Sequence, residues 1–168
     1  LLFSSDSMDG RVMGCMGHPA AHTPNMDRLA AGGVLFRNAY CNYPLCCPSR
    51  ASMWSGRYPH EIGAWNNGLG LDEGDETFQT RLEQAGYRSK IVGKTDYLTG
   101  RHTLHASVTS WLRGADITLP QTHRPTAETV DEDPRHLAEW GRVDECVEWL
   151  RRNGDAPFLM HCGVNSPH

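Results

Sequence analysis

Two adjacent cysteines, Cys46 and Cys47, stand directly before Pro-Ser-Arg in the stretch NYPLCCPSRASMWSGR. Pro48 and Gly56 predict a short helix between them. If Cys47 caps this helix, Cys46 lies just before its N-terminus, where free backbone N–H groups and the helix dipole attract negative charge. A nucleophile at Cys46 would then face a bound anion. Arg50, in the first turn, could hold an oxyanion or the nucleophile itself.

Three further polar residues follow predicted strands. Asp6 ends the strand LLFSSD, Lys94 follows YRSKIVG, and His168 follows PFLMHCGVNSP. In open α/β sheets, ligands bind outside the carboxyl ends of the strands. A carboxylate, an ammonium and an imidazole that arrive there from separate segments therefore predict one crevice.

The cysteine pair also has two simpler interpretations. Free cysteines are often buried, and for Cys47 we expect a small buried side chain. A structural zinc site would draw on Cys15, His18, His22 and either Cys41 or the pair. Common zinc modules use two separated chelating pairs, which this Cys-x2-His-x3-His spacing lacks. The zinc site is therefore the less favoured alternative.

Strand-like and helix-like segments alternate along the chain, which predicts an α/β fold with a largely parallel sheet. HTPNMDRLAAGG predicts a helix that starts after Thr23, stops at Gly32 and turns Met26, Leu29 and Ala30 inward. The next segment, VLFRNAY, predicts a strand.

Two later helices each lead into a strand. ETFQTRLEQAG carries one apolar stripe and precedes YRSKIVGK. EWGRVDECVEWLRRNG precedes PFLMHCGVNSPH, and its predicted inward face consists of Trp140, Val143, Val147 and Leu150. Residues 114–138, rich in Pro, Thr and acids, predict a surface excursion.

Composition excludes several classes of protein. The 168 residues carry a net charge of −4, so the chain has no bulk basic field for nucleic acid or an anionic membrane. No apolar run is long enough to span a membrane. No signal peptide is visible, yet the chain opens in the middle of a strand and ends without a closing helix. We therefore expect it to be truncated at both ends.

The segments with candidate chemistry resemble the sulfatase family. CCPSRASMWSGR is similar to the sulfatase motif Cys-x-Pro-Ser-Arg-x4-Thr-Gly-Arg, with Ser55 in place of Thr. TPNMDRLAAGGVLFRNAY, GYRSKIVGK and PFLMHCGVNSPH resemble sulfatase segments in the same order. SDSMDGR, CCPSRASMWSG and GKTDYLTGRH look most like the arylsulfatase K group and its bacterial relatives. The resemblance implies an alkaline phosphatase-like fold, with residues 1–168 as the N-terminal part of a catalytic domain.

The resemblance also implies the identity of the nucleophile. A formylglycine-generating enzyme would oxidise Cys46 to formylglycine, whose hydrated aldehyde supplies an oxygen nucleophile. Asp6 and the modified Cys46 would hold Ca²⁺, a cation that prefers oxygen ligands. Most sulfatases have a second aspartate where this chain has Ser7, and this departure removes one carboxylate from the metal site.

Four other residues receive roles from the same resemblance. Arg50 would steady the nucleophile, and Lys94 would bind a sulfate oxygen. His168 would contact the sulfate or the leaving oxygen and could donate a proton, and His102 is a candidate second imidazole. Later metal ligands of the family lie outside this chain, so we expect the isolated 168 residues to bind Ca²⁺ poorly and to have little activity.

The predicted function is that of a sulfuric ester hydrolase. Its implied substrate is a sulfated small molecule or saccharide, and in particular a sulfated uronate of a glycosaminoglycan-type polysaccharide. A formylglycine-dependent phosphonate or phosphate ester hydrolase is one alternative, and a non-catalytic sulfosugar-binding fragment is another. Sulfatases of this type are lysosomal in animals and exported in bacteria, and the chain does not distinguish the two.

Overall fold

The computed structural model describes residues 1–99 and 138–167, whose helices and strands form an α/β fold. The strands are β1 (Leu2–Asp6), β2 (Arg88–Gly93) and β3 (Phe158–Pro167). The α-helices are α1 (Pro24–Ala31), α2 (Cys46–Ser55), α3 (Phe78–Gln84) and α4 (Ala138–Asn153), and a 3-10 helix spans Gly14–Met16. The predicted fold class is confirmed.

The three strands form one parallel sheet in the order β1-β3-β2. Leu2 pairs with His161 and Val92 pairs with Cys162, so β3 receives hydrogen bonds from both neighbours. Because the strands are parallel, their carboxyl ends share one edge of the sheet. Asp6 ends β1 and Lys94 directly follows β2, as predicted.

The two faces of the sheet pack against different helices. On one face α4 covers an apolar cluster of Val92, Cys146, Met160, Cys162 and Val164. On the other, α2 contributes Ala51 and Trp54 to a second cluster with Ala64 and Leu71. The Trp54 ring stacks on both Phe78 and Tyr97, with ring centroids 4.6 Å apart in each pair. Side chains alternate between the faces along β3, so His161 lies on the Trp54 side.

Two glycines allow β2 and β3 to approach closely at the carboxyl edge. Gly93 has a φ of +81°, which favours glycine, and a Cβ there would lie 1.9 Å from the Gly163 carbonyl oxygen. A Cβ on Gly163 would lie 2.3 Å from the Lys94 carbonyl oxygen. The Lys94 N–H donates to the Gly163 carbonyl at 3.0 Å. Glycine at both positions therefore brings the Lys94 backbone against the central strand.

The segment 34–40 does not form the predicted strand. Val34 and Phe36 are 80% and 74% exposed, and the described sheet consists of β1, β2 and β3. Residues with high β propensity form a strand when a neighbour supplies hydrogen bonds and a packing surface. Within the described residues this segment has no such neighbour, and the prediction was wrong.

Two predicted helix faces need correction. Leu29 of α1 is exposed, because α1 packs against the 3-10 helix and not against the sheet. On α4, Trp140 and Val147 are exposed, whereas Cys146 is buried between Val143 and Leu150 on the face that meets the sheet. The inward stripe of α4 is therefore rotated towards Cys146.

Some predictions fall on residues that the structure does not describe. These residues are His102, His168 and 114–137 of the predicted surface excursion, whereas Ala138 begins α4. Within residues 1–99 and 138–167, no helix is long and apolar enough to cross a membrane.

Candidate active site

A cleft of about 890 Å³ opens at the carboxyl edge of the sheet. Asp6, Cys46 and Arg50 line it together, so three of the predicted site residues meet although Asp6 is far from the other two in sequence. The rest of its lining is supplied by the loop after β1 and the segment before α2, with members such as Ser7, Met8, Asp9, Tyr43, Pro44 and Leu45. The predicted crevice at this edge is therefore present.

Helix α2 begins at Cys46, two positions earlier than predicted. Leu45 is the N-cap and has no side-chain capping bond, so Cys46 is the first helical residue and Pro48 the third. Pro48 is accommodated there because the first four N–H groups of a helix have no partner within it. The Cys47 N–H donates to Oδ1 of Asn67 at 3.0 Å, which supplies a cap from a distant loop. Cys46 thus starts the helix instead of preceding it.

The two cysteines occupy different environments. Cys46 is partly exposed and lines the cleft, whereas Cys47 is 0% exposed and its Sγ lies 3.5 Å from the Leu69 carbonyl oxygen. Burial raises the pKa of the Cys47 thiol to about 12, with smaller contributions from Asp96 and Cys46. Cys47 is therefore the small buried side chain that was predicted, and Cys46 is the cysteine that a ligand in the cleft can reach.

A buried ionic cluster lies behind the cleft. Nζ of Lys94 lies 2.5 Å from Oδ2 of Asp6 and 3.2 Å from Oδ2 of Asp96. Arg50 donates from Nη2 to Oδ1 of Asp6 at 3.4 Å and from Nη1 to the Lys94 carbonyl at 3.1 Å. All four residues are buried. The cluster contains two acids and two bases, so its formal charges cancel.

Lys94 is held away from the cleft by these contacts. It is 3% exposed and does not line the cleft, whereas Asp6 and Arg50 do. Removing one partner from a buried ion pair costs several kcal/mol, because the remaining charge loses its compensation. The structure thus places the predicted ammonium directly behind the carboxylate that faces the cleft.

Asp96 and His161 are two polar residues of this region that sequence reasoning missed. Asp96 is two positions after Lys94 in GKTD, and this spacing was its one available signal. His161 lies within a strand of apolar residues and is 0% exposed. Its Nε2 is 2.9 Å from the Ser4 Oγ, and its ring meets the edge of Trp54. Burial, and secondarily Arg50, lowers the His161 pKa to about 4.

The donor set for a metal is incomplete within the described residues. Asp6 offers a hard carboxylate oxygen at the cleft beside Cys46, which fits part of a Ca²⁺ site. Within residues 1–99 and 138–167, no group of three or more His, Cys, Asp or Glu side chains could hold a metal ion. The alternative zinc site at Cys15, His18, His22 and Cys41 thus lacks a set of converging ligands.

Known proteins resemble this chain along its whole length. A family model described as Sulfatase matches residues 1–168. Arylsulfatase K of Mus musculus is 38% identical over 172 residues, which cover 100% of this chain and 31% of the relative. The chain therefore spans about a third of the length of the curated relatives it matches.

Two solved structures share the fold. One, in complex with its substrate D-glucosamine-2-N,6-O-disulfate, has a TM-score of 0.74 and 26% identity, covering 99% of this chain and 34% of its own. The phosphonate monoester hydrolase of Agrobacterium radiobacter has a TM-score of 0.75 and 24% identity, covering 99% and 40%. The second likeness bears on the fold alone.

Proposed function

The chain belongs to the sulfatase family, and we propose that within a longer protein it hydrolyses an organic sulfate ester to an alcohol and inorganic sulfate. We assign residues 1–168 to the N-terminal part of the catalytic domain. The observation that carries this proposal is the meeting of Asp6, Cys46 and Arg50 in one cleft, with Cys46 at a helix N-terminus. Such a combination of a cationic group, a helix N-terminus and a nucleophile suits a reaction on a sulfate group.

Cys46 is the proposed site of formylglycine, formed by a formylglycine-generating enzyme. The modified side chain would supply a hydrated aldehyde whose oxygen is the nucleophile. Arg50 lies one helical turn after Cys46 and lines the same cleft, so its guanidinium is placed to orient an anionic group beside position 46. Cys47, which is buried and has a raised pKa, would stay a thiol.

Asp6, together with the modified Cys46, is the proposed contribution of this chain to a Ca²⁺ site. When bound there, Ca²⁺ would supply charge that polarises the sulfate group. Lys94 and Arg50 already compensate the charge of the buried Asp6 carboxylate. We propose that further oxygen ligands come from the longer protein, since Asp6 is the one buried carboxylate of the described residues that lines the cleft.

We propose a sulfated saccharide as the substrate class. The support is the structural relative bound to D-glucosamine-2-N,6-O-disulfate. Within this class we propose a sulfated uronate of a glycosaminoglycan-type polysaccharide, as the resemblance to the arylsulfatase K group implies. The cleft is open and has apolar walls at Tyr43, Leu45 and Met53 beside its charged base. Such walls suit the carbon face of a sugar ring, while the base suits its sulfate.

Peptide mass spectrometry tests the nucleophile first. The full-length protein would be produced in its source cell or with a formylglycine-generating enzyme, and the peptide NAYCNYPLCCPSR (38–50) analysed. We expect an aldehyde at Cys46 that a hydrazide probe traps, and an intact thiol at Cys47. Two intact thiols would contradict the mechanism and favour a non-catalytic sulfosugar-binding role.

Paired hydrolysis assays then test the leaving group. The same preparation would be offered a sulfate ester and the matching phosphonate and phosphate esters of one aryl alcohol. We expect the sulfate ester to have the highest kcat/KM. A higher kcat/KM for a phosphorus ester would assign the chain to the alternative hydrolase class, because Arg50 and the N-terminus of α2 would accept either anion.

A further inference from the structure

Asp96 is a buried carboxylate with an unusual backbone conformation. It is 3% exposed and has a φ of +45°, one of two positive φ values among the described non-glycine residues. Such a conformation is sterically unfavourable for a residue with a Cβ, although aspartate tolerates it better than most. Unfavourable backbone conformations persist where surrounding contacts enforce them, and they concentrate at functional sites.

The loop that carries Asp96 is tied to a neighbouring segment. The Leu71 N–H donates to the Tyr97 carbonyl at 2.8 Å, and the Thr99 N–H donates to the Leu71 carbonyl at 2.9 Å. A Cβ on Gly70 would lie 2.3 Å from the Tyr97 carbonyl oxygen, so the two segments are in direct contact. The Tyr97 ring stacks on Trp54 of α2. These contacts fix the position of the Asp96 backbone relative to the helix that bears Cys46.

Lys94 is held from two sides by carboxylates on different segments. Asp6 arrives from the end of β1, and Asp96 arrives from the loop after β2. Their oxygens lie 2.5 Å and 3.2 Å from the Lys94 Nζ. Of the two acids, Asp6 lines the cleft and Asp96 does not. Asp96 is therefore an anchor that stays behind the site, whereas Asp6 also faces the space where ligands bind.

We propose that Asp96 is a positioning residue that holds the Lys94 ammonium in place behind the cleft while Asp6 serves the cleft. This inference rests on the proposed function, in which Asp6 serves the sulfate site and Lys94 and Arg50 compensate its charge. Without Asp96, Lys94 retains its ion pair with Asp6, and the cluster of these four side chains keeps one acid against two bases. Lys94 would then be drawn towards Asp6, and the cluster would carry an uncompensated positive charge.

A double-mutant cycle on the full-length, formylglycine-bearing protein tests this role. The variants are Asp96→Asn, Lys94→Met and the double variant, and the matched control is Asp155→Asn, an exposed acid of the same type. We expect Asp96→Asn to lower kcat at least tenfold with KM changed less than threefold, because a displaced Lys94 would shift the Asp6 carboxylate that faces the reacting group. In the Lys94→Met background, Asp96→Asn should lower kcat by less than twofold.

Two outcomes would overturn the proposal. One is an unchanged kcat in Asp96→Asn, and the other is a double variant whose kcat loss is the product of the two single losses, which would mean independent action. Should Asp96→Asn fail to fold, Asp96→Glu replaces it in the same cycle, since it displaces the carboxylate by one methylene and retains the charge. The same kcat loss and the same non-additivity are expected.

An unfolding cycle separates this proposal from the proposed function. Urea midpoints of the unaltered protein, the two single variants and the double variant report the Asp96–Lys94 coupling without any substrate. We expect the two single shifts not to add in the double variant. If the unaltered protein hydrolyses no sulfate ester, the proposed function fails by itself. Additive midpoint shifts would overturn the positioning role whatever the activity.

Discussion

The two faces of the sheet differ in what they bury. The α4 face packs apolar groups such as Met160, Val92 and Cys162 and has no buried charge among its cluster members. The α2 face buries the Trp54 aromatic stack, the His161 imidazole and, at its carboxyl edge, the ionic cluster of Asp6 and Lys94. Apolar contacts are tolerant of small changes in direction, whereas buried charges require defined partners.

This difference separates stability from chemistry within one small sheet. The α4 face can lose packing without altering the cleft, because none of its cluster residues lines it. The α2 face carries the first residue of α2 into the cleft, so changes there alter the groups that meet a ligand. Substitutions on the two faces should therefore produce different ratios of lost activity to lost stability.

The sharpest break between the faces is expected at Cys46. Cys46→Ala should abolish sulfate ester hydrolysis by the full-length protein, by on the order of 10⁴-fold or more, because it removes the nucleophile. Its free energy of unfolding should change by less than about 1 kcal/mol, since Cys46 is partly exposed. Steady-state kinetics and urea denaturation measure the two effects.

Cys47→Ala is the matched control for that experiment. It removes a fully buried Sγ and should cost about 1 to 2 kcal/mol of stability, while hydrolysis and the aldehyde at position 46 persist. Equal losses of activity in the two cysteine variants would contradict the assignment of the nucleophile.

Asp6→Asn should give the largest stability loss on the α2 face. It leaves Lys94 and Arg50 without their shared carboxylate, which we expect to cost about 3 to 5 kcal/mol. Urea denaturation at pH 7 measures it. Glu148→Gln removes an acid from an exposed pair with Arg152 and should leave the midpoint unchanged. An equally small effect at Asp6 would mean that the buried cluster does not form.

Met160→Ala should show the opposite character of the α4 face. Met160 is fully buried, so its truncation should cost about 3 to 4 kcal/mol through lost contacts and a cavity. The kcat of the variant should stay within about twofold at temperatures where it remains folded. A tenfold loss of kcat with an unchanged midpoint would show that the two faces are not separable in this way.

The two faces should also differ in how their contribution to stability depends on pH, because His161 lies on the α2 face. Burial lowers the His161 pKa from its ordinary value of 6.5 to about 4, so between these two pH values the unfolded chain binds the proton more readily than the folded chain. Stability attributable to His161 is therefore fully present above pH 6.5 and falls by up to about 3 kcal/mol as the pH drops through 4. His161→Gln should make the free energy of unfolding depend less on pH between about 4 and 6.5. Parallel curves for the two proteins would contradict the effect.

The elements that the sequence predicted well are those with local signals. Helix α1 follows from Thr23, Pro24 and Gly32, and β2 from its apolar run with Lys94 beyond it. The Cys-x-Pro-Ser-Arg stretch likewise indicated a helix, although this helix starts two residues before the predicted position. Asp6 and Lys94 could be placed at one edge because parallel strands end together.

The rest depended on tertiary contacts that no local pattern encodes. Segment 34–40 has strand-forming residues but lacks a partner strand within the described part of the chain. His161 is buried because Ser4 and Trp54 contact it from segments distant in sequence. A single histidine in an apolar run gives no sequence signal for such partners. The ion pairs of Lys94 with Asp6 and Asp96 could not be predicted either, because they depend on how β1 and the loop after β2 pack together.

The central position of β3 also sets the order in which this part of the chain can assemble. β1 and β2 have no hydrogen bonds to each other, and each pairs with a strand that follows it by dozens of residues. On the ribosome, the sheet must therefore wait until Phe158–Pro167 has emerged. Pairings so distant in sequence make folding slow, because the chain loses loop-closure entropy before the contacts between strands form. Until β3 has emerged, the sheet that forms the base of the cleft is absent, and Cys46 lies in a segment that has not yet packed against it.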